Sequence, residues 1–159
     1  MKEMSWTIFW PRYNSKTYIY GSKIEVYKNG EIDFENPLMP PGTIINEWFS
    51  KTTYYIHRFE PTLPDIDYHC SYEIKIDIEN EDKEDFVLKI IFYDRNNKDL
   101  KSLYTRKKVF EFMCPLETYS YRIQLISAGI IKFRFKSIVI KKWDDAYGKK
   151  KFLESCERN

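Results

Sequence analysis

The sequence is poor in the residues around which most catalytic and cofactor sites are built. Its 159 residues include only two histidines, three cysteines and five glycines. His57 and His69 have no nucleophile or metal-ligand neighbour, and Cys70, Cys114 and Cys156 lack CxxC spacing. No phosphate loop, dinucleotide-binding turn, nucleophile elbow or zinc-helix motif is present. We therefore expect a protein without enzymatic activity, metal or cofactor, whose cysteines are plain thiols, the first two of them buried in or near strands.

One catalytic arrangement escapes this argument. A glycosidase-type pair of carboxylates is defined by its separation in space, so the sequence positions of 24 acidic residues neither reveal nor exclude it. A small hydrolase therefore remains an alternative to a binding protein.

The chain also has little excess charge and no long apolar run. Its 26 basic and 24 acidic residues give a net charge of +2, too little for the phosphate neutralisation that sequence-independent nucleic-acid binding requires. No segment approaches the roughly 20 apolar residues of a membrane span, and the amino-terminal residues lack the apolar run of a signal peptide. We expect a cytoplasmic protein with no transmembrane segment and no nucleic-acid partner.

Aromatic residues, by contrast, are abundant, with 13 tyrosines and 11 phenylalanines. Such residues favour strands, and about ten short segments have the pattern or composition of strands, separated by turns and loops. The clearest alternation predicts the following core residues: Tyr72, Ile74, Ile76, Ile78, Tyr121, Ile123 and Leu125. The pattern predicts an antiparallel β-sandwich, of the jelly-roll type, over residues 1–140, followed by a polar, basic tail over 141–159.

Two local irregularities can also be predicted. A three-residue loop, Lys28–Gly30, pairs Val26 with Ile32 and so places the apolar residues of both hairpin strands on one face. Near Lys136–Ser137 the apolar parity of the last strand reverses, which predicts a β-bulge or bend.

Three aromatic residues are candidates for a ligand-binding platform. Trp48 lies in a polar-flanked strand and is followed by Tyr54 and Tyr55. Flat rings stack on the C–H faces of sugars, so these residues are predicted to contact carbohydrate or another substrate. The alternative is that Trp48 belongs to the core.

Four apolar residues are candidates for a partner interface. Trp6 and Trp10 lie in an aromatic amino-terminal segment, while Ile91 and Tyr93 occupy the second face of the strand Phe86–Tyr93, which is apolar on both faces. Aromatic anchors dominate many interfaces, which favours a covering partner. Coverage by the chain itself is the alternative for each.

Several segments together resemble a known family. They are Leu38–Trp48, Pro61–Pro64 with Tyr72 beyond it, Val87–Asp94 and Tyr119–Gly129, within a match from about Tyr18 to Ile140. The chain is similar to the third, small subunit of the accessory Sec system of Gram-positive bacteria, a family of the Asp type.

The resemblance implies a fold similar to carbohydrate-binding modules and a non-catalytic role in a secretion complex. The implied partners are the first and second accessory secretory proteins, an accessory SecA motor ATPase and serine-rich repeat adhesins, whose glycosylated forms the complex exports. The implied location is cytoplasmic, with association to the membrane through the translocation complex. A free-standing carbohydrate-binding module is the alternative within the binding proteins.

Overall fold

All regular structure in the described residues is β-strand. The computed structural model describes residues 4–11, 16–52, 61–68, 70–81 and 85–143. The strands are β1 (Met4–Ile8), β2 (Lys23–Val26), β3 (Ile32–Glu35), β4 (Ile44–Phe49), β5 (Ser71–Asn80), β6 (Phe86–Tyr93), β7 (Asp99–Thr105), β8 (Val109–Met113), β9 (Ser120–Ser127) and β10 (Lys132–Lys142). Every pairing between them is antiparallel. No helix among these residues is long and apolar enough to cross a membrane.

The strands form two sheets that pack face to face. Sheet A has the order β2-β3-β10-β5-β8, with β1 also paired to β10, and sheet B has the order β4-β9-β6-β7. Trp48 of β4 stacks on Phe135 of β10 with ring centroids 5.6 Å apart, and Phe92 of β6 meets Phe112 of β8 at the same separation. The predicted antiparallel β-sandwich is therefore confirmed.

The interior between the sheets is built from the residues that strand alternation predicts. Tyr72, Ile74, Ile76 and Ile78 of β5 are at most 2% exposed. The alternate residues of β9, Tyr121, Ile123 and Leu125, are at most 1% exposed on the facing sheet. A consistent alternation of apolar residues in each strand was enough to identify this core. Successive side chains point to opposite faces of a sheet, and only one face meets the opposite sheet.

Both predicted irregularities are present. Ile24 and Val26 lie opposite Phe34 and Ile32, and Gly30 has a φ of 89°, the left-handed conformation that the three-residue loop requires. The pairing of β10 with β5 shifts between Phe135 and Ser137. This bulge lets the strand bury Phe135 and, after the change of parity, Ile138 on the same side.

The last strand extends to Lys142, two residues past the predicted domain boundary. Residues 144–159 lie outside the described part, so the basic tail stays a prediction. Cys70 and Cys114 are buried free thiols, as expected, and burial raises the pKa of Cys114 to about 11. Cys156 and both histidines lie outside the described residues.

Candidate functional site

Trp48 lies inside the sandwich, not on its surface. It is 0% exposed, its indole N–H donates to the carbonyl of Phe9 at 3.2 Å, and its ring packs against Trp10 and Phe135. A sugar-stacking ring needs an open face. The predicted platform is therefore wrong at Trp48, and the alternative, a core residue, is correct. Tyr54 and Tyr55 lie outside the described residues.

Trp10 is also part of the chain's own core. It is 7% exposed, and its indole N–H donates to the Thr17 hydroxyl at 3.1 Å. Its ring contacts Trp48 and Phe135 edge-on, at centroid separations of 5.5 and 5.2 Å. Rings from both sheets already cover this side chain, which favours the core alternative, and a partner contact at Trp10 stays a prediction.

Ile91 and Tyr93 are buried on the outer face of sheet B. They are 6% and 8% exposed in the isolated chain. The guanidinium of Arg122 lies 5.0 Å from the Tyr93 ring centre and 4.9 Å from that of Phe49. The chain itself thus already buries most of Ile91 and Tyr93, which favours coverage by the chain over coverage by a partner, and their role in a partner interface stays a prediction.

Trp6 has a different environment from the other predicted contacts. It is half-buried in β1, opposite Ile140 of β10, and packs against the edge of the core. Because part of its side chain remains accessible, its role in a partner interface stays a prediction.

A proline-containing loop, residues 61–67, lies beside both Trp6 and Arg122, and we call it the proline loop. The amides of Thr62 and Leu63 both donate to the carbonyl of Phe49, at 3.1 and 3.0 Å, which fixes the loop to the end of β4. Leu63 is 6% exposed and belongs to the core cluster. The loop is thus anchored through its backbone and one apolar side chain.

Two buried tyrosines form hydrogen bonds with the backbone of the same loop. The Tyr121 hydroxyl donates to the Pro64 carbonyl at 2.6 Å, and the Tyr72 hydroxyl accepts from the Asp67 amide at 2.7 Å. Burial raises the pKa of both phenols above the ordinary value. Both phenols therefore stay neutral across the physiological pH range, and each hydroxyl group is a hydrogen-bond partner for the backbone of the loop.

A cleft of about 740 Å³ opens on one side of the proline loop, and we call it the Arg122 cleft. Tyr119 is 47% exposed there, with Lys51 Nζ 4.8 Å and the Arg95 guanidinium 5.4 Å from its ring centre. The described residues that line it are Ser50, Lys51, Thr52, Pro61, Asp65, Asp94, Arg95, Asn97, Tyr119, Ser120, Tyr121 and Arg122. This mixture of cations, carboxylates and hydroxyl groups is suited to a polar ligand.

The carboxylates of the Arg122 cleft have structural partners. Asp65 pairs with Lys51 at 3.3 Å. Asp94 Oδ1 accepts the backbone amides of Asn96 and Lys98 at 2.8 and 3.0 Å and so caps the β6–β7 turn. Within the described residues, no group of three or more His, Cys, Asp or Glu side chains is placed to hold a metal ion. The cleft therefore presents charged and hydroxyl groups that can contact a polar ligand.

A second groove, of about 670 Å³, runs along the other side of the proline loop. Its walls are Ser5–Ile8 of β1 and Pro61–Asp65. We call it the β1 groove. Of the predicted site residues that the structure describes, only Trp6 lines it.

Sequence reasoning missed the Arg122 cleft. Strand alternation does place Arg122 opposite to the core residues Tyr121 and Ile123, which was the available signal. The cleft itself depends on cross-strand register, which sets Arg122 beside Phe49 on one neighbour and Ile91 on the other. No local pattern contains that information.

The similarity to known proteins extends over most of the described domain. The model of the family described as "Accessory Sec secretory system ASP3" matches residues 17–142. Among relatives, the accessory Sec system protein ASP3 of Streptococcus gordonii is 37% identical over 125 residues, covering 79% of both chains. The protein of the same name from Staphylococcus aureus is 27% identical over 147 residues, covering 92% of this chain and 46% of that protein.

Solved structures agree with this relationship. A chain in the crystal structure of accessory secretory proteins 1, 2 and 3 from Streptococcus pneumoniae superposes with a TM-score of 0.82 at 31% identity, covering 86% of this chain and 95% of that one. A chain of a glycosylation-associated protein complex, Gap123, from Streptococcus agalactiae gives the same TM-score at 28% identity, covering 89% of this chain and 45% of that one. The chain belongs to the accessory Sec secretory system ASP3 family.

Proposed function

We propose that this chain is a non-catalytic subunit of an accessory Sec complex, which it helps to assemble with the first and second accessory secretory proteins. The observation that carries the proposal is the likeness to a chain in the three-protein crystal structure, which extends over 95% of that chain. Its relatives are named as system subunits rather than as enzymes. The two surface clefts beside the rigid proline loop are suited to contacts with other molecules.

We further propose that the assembled complex handles glycosylated serine-rich repeat adhesins for export from the cytoplasm, together with an accessory SecA motor. Support comes from the family membership and from the Arg122 cleft, whose charged and hydroxyl groups suit a polar substrate. The loss of Trp48 as a platform removes the main argument for a free-standing carbohydrate-binding module.

Co-purification tests both levels. A tagged full-length chain is isolated from the cytosolic and membrane fractions of its native cells, and bound proteins are identified by mass spectrometry. We expect the first and second accessory secretory proteins in near-stoichiometric amounts, and the motor and the adhesin in smaller amounts. Recovery of the chain alone from cells that express all of these proteins would contradict the assembly role.

The purified chain can then be titrated with glycans released from the adhesin. We expect no saturable binding by the chain alone and binding only when the other subunits are present. Saturable binding by the isolated chain, combined with failure to recover partners, would favour the free-standing module instead.

A further inference from the structure

We propose that β1 is a docking edge, and that an extended segment of a partner subunit adds to sheet A as a further strand within the β1 groove. The inference rests on the proposed function, because the partner is one of the other two accessory secretory proteins. It goes further by naming the surface and the mode of recognition.

The hydrogen bonds of β5 show which residues of β10 direct their backbone amide and carbonyl groups toward β5 and which direct them toward β1. The Ile76 amide donates to the Lys108 carbonyl at 2.9 Å, so even-numbered residues of β5 bond toward β8 and odd-numbered residues bond toward β10. Lys75, an odd-numbered residue, lies opposite Val139. Because backbone groups alternate sides along a strand, Val139 bonds toward β5 and the even-numbered residues beside it bond toward β1.

The same alternation gives the orientation of β1. Trp6 and Ile8 lie opposite Ile140 and Ile138, so these two residues of β1 make the hydrogen bonds with β10. The amide and carbonyl groups of Ser5 and Thr7 must then point away from β10, toward the open side. No other described residue is hydrogen-bonded to them.

The β1 groove lies where these unpaired groups point. It is lined by four consecutive residues of β1, Ser5–Ile8, rather than by alternate ones. Side chains on one face of a strand recur at every second position, whereas a backbone edge presents every residue. The groove therefore follows the backbone edge of β1, and this is the geometry that a further strand requires.

The opposite wall of the groove is anchored to the sandwich by hydrogen bonds. The proline loop is fixed to the β4 carbonyl of Phe49 and to the hydroxyl groups of Tyr72 and Tyr121. Pro61 and Pro64 have no amide hydrogen, so at these positions the loop lacks the donors that a strand partner of β1 would supply. The loop therefore sets the width of the groove, and among the described residues none pairs with the outer edge of β1.

Two other edge strands of the described sheets are protected by charge. The edge strand β2 contains Lys23 and Glu25, and the edge strand β7 contains Asp99 and Lys101. Charged residues at an edge discourage pairing with another chain. By contrast, β1 has the sequence Met-Ser-Trp-Thr-Ile, with no charge. Among these three edges, β1 is the one without a built-in barrier to strand addition.

The surroundings also define the chemistry of the occupant. Side chains of an added strand that lie beside Trp6 and Ile8 face the apolar interior, since Ile8 is 4% exposed and Trp6 packs on the core. Those beside Ser5 and Thr7 face outward among hydroxyl groups. The occupant is therefore an extended partner segment in which apolar residues alternate with polar ones.

Hydrogen exchange on the unmodified proteins tests the proposal directly. Amide exchange of the full chain is measured alone and in the reconstituted complex with the first and second accessory secretory proteins. We expect the Ser5 and Thr7 amides to exchange rapidly in the isolated chain and at least about tenfold more slowly in the complex, because strand pairing protects amides from exchange. Slow exchange already in the isolated chain would assign the edge to a segment of this chain, and unchanged exchange in the complex would leave it unpaired; either result overturns the proposal.

A matched pair of variants separates the backbone from the side chain. Thr7→Pro removes the outward amide at an edge position, where proline is tolerated, while Thr7→Ala removes only the hydroxyl and methyl groups. We expect Thr7→Pro to weaken partner binding at least about tenfold and Thr7→Ala by less than about twofold, with both chains unfolding near the wild-type temperature. Equal losses for the two variants, or normal binding by Thr7→Pro, would overturn the proposal; if Thr7→Pro fails to fold, the exchange measurement decides.

Two further outcomes separate this inference from the proposed function. If Thr7→Pro joins the complex as well as the wild type does, the docking edge is wrong while the assembly role stands. If the wild-type chain itself fails to bind either accessory secretory protein, the assembly role is wrong as well. A dimer of the isolated chain that Thr7→Pro dissociates would identify a second copy as the occupant and overturn the assignment to a partner subunit.

Discussion

The outer faces of the two sheets differ sharply, although the sheets share one core. On sheet A, the outward residues of β5 include Glu73, Lys75 and Asp77, of which the last two are exposed. On sheet B, the outward residues of β6 include Ile91 and Tyr93, which are 6% and 8% exposed. Sheet A thus has one buried face, whereas part of sheet B is buried on both.

Arg122 accounts for part of this difference. Its guanidinium lies between the rings of Phe49 and Tyr93, at 4.9 and 5.0 Å, and we call these three residues the outer cluster. A cation over an aromatic face is attracted by the ring quadrupole and covers apolar area at the same time. Apolar residues on the second face of a strand are therefore not by themselves evidence of a partner. The predictions below test whether the outer cluster behaves as interior or as interface.

The largest effect is expected at Phe49. It is 1% exposed, so Phe49→Ala should lower the free energy of unfolding by about 3 to 5 kcal/mol. Lys75→Ala on the outer face of sheet A is the control, with an expected change within about 0.5 kcal/mol. Urea unfolding followed by fluorescence measures both. A change below about 1 kcal/mol for Phe49→Ala would remove the distinction between the two faces.

A smaller loss is expected at Tyr93. Because the side chain is buried by its own chain, Tyr93→Ser should lower the free energy of unfolding by about 2 to 4 kcal/mol. Tyr104→Ser on the neighbouring edge strand, where the residue is 61% exposed, should cost less than about 1 kcal/mol. If Tyr93→Ser instead kept full stability and lost binding to the other accessory secretory proteins, Tyr93 would be an interface residue after all.

The contribution of the cation itself should be smaller again. Arg122→Met keeps an unbranched apolar stem over both rings but removes the charge, so we expect a loss of about 1 to 2 kcal/mol. Arg95→Met, which changes a cation near only one exposed ring, should cost about 0.5 kcal/mol. Thermal unfolding of the two variants under matched salt conditions compares them. Equal effects would show that Arg122 acts as an ordinary surface residue.

The smallest effect belongs to the outer face of sheet A and depends on pH. The Arg134 guanidinium binds both carboxylate oxygens of Asp33, at 2.8 and 3.1 Å, and with the Tyr27 hydroxyl lowers the pKa of Asp33 to about 2. A lowered folded-state pKa stabilises the fold above the unfolded-state pKa of about 4, and this contribution is lost as pH falls through about 2. Both side chains are about one third exposed, so the contribution is modest.

The variant Asp33→Asn tests this contribution. It should unfold at a slightly lower temperature than the wild type at about pH 6, and the difference should disappear as the pH falls from about 4 to about 2. Melting curves across this range provide the measurement. A difference that stays constant with pH would assign the effect to packing rather than to ionisation.

How much of the structure the sequence predicts depends on whether a feature is determined by neighbouring residues. Alternation identified the core residues Ile76 and Leu125, and the Lys28–Gly30 loop and the bulge near Ser137 were predicted because each depends on a few neighbouring residues. Apolar patterning did not distinguish burial by the chain from burial by a partner, and this is why Trp10 and Tyr93, which the chain itself buries, were assigned to an interface. Both kinds of burial remove the same apolar area from water.

The clefts could not be predicted from the sequence for another reason. The outer cluster joins residues from three strands, and the β1 groove brings the amino-terminal strand beside the loop that begins at Pro61. Such contacts between distant segments depend on strand order and register, which the sequence pattern does not contain. Even the fact that Ser5–Ile8 forms an edge strand was not predicted.

The most direct test of the central claim, that this chain is a binding subunit of an accessory Sec complex, is sedimentation velocity on purified components. The full chain is analysed alone, with the first and second accessory secretory proteins, and with an unrelated protein of similar size. We predict that the chain moves entirely into one faster species with the two accessory proteins and remains separate from the unrelated protein. Sedimentation as an independent 19.4 kDa species in every mixture would contradict the account.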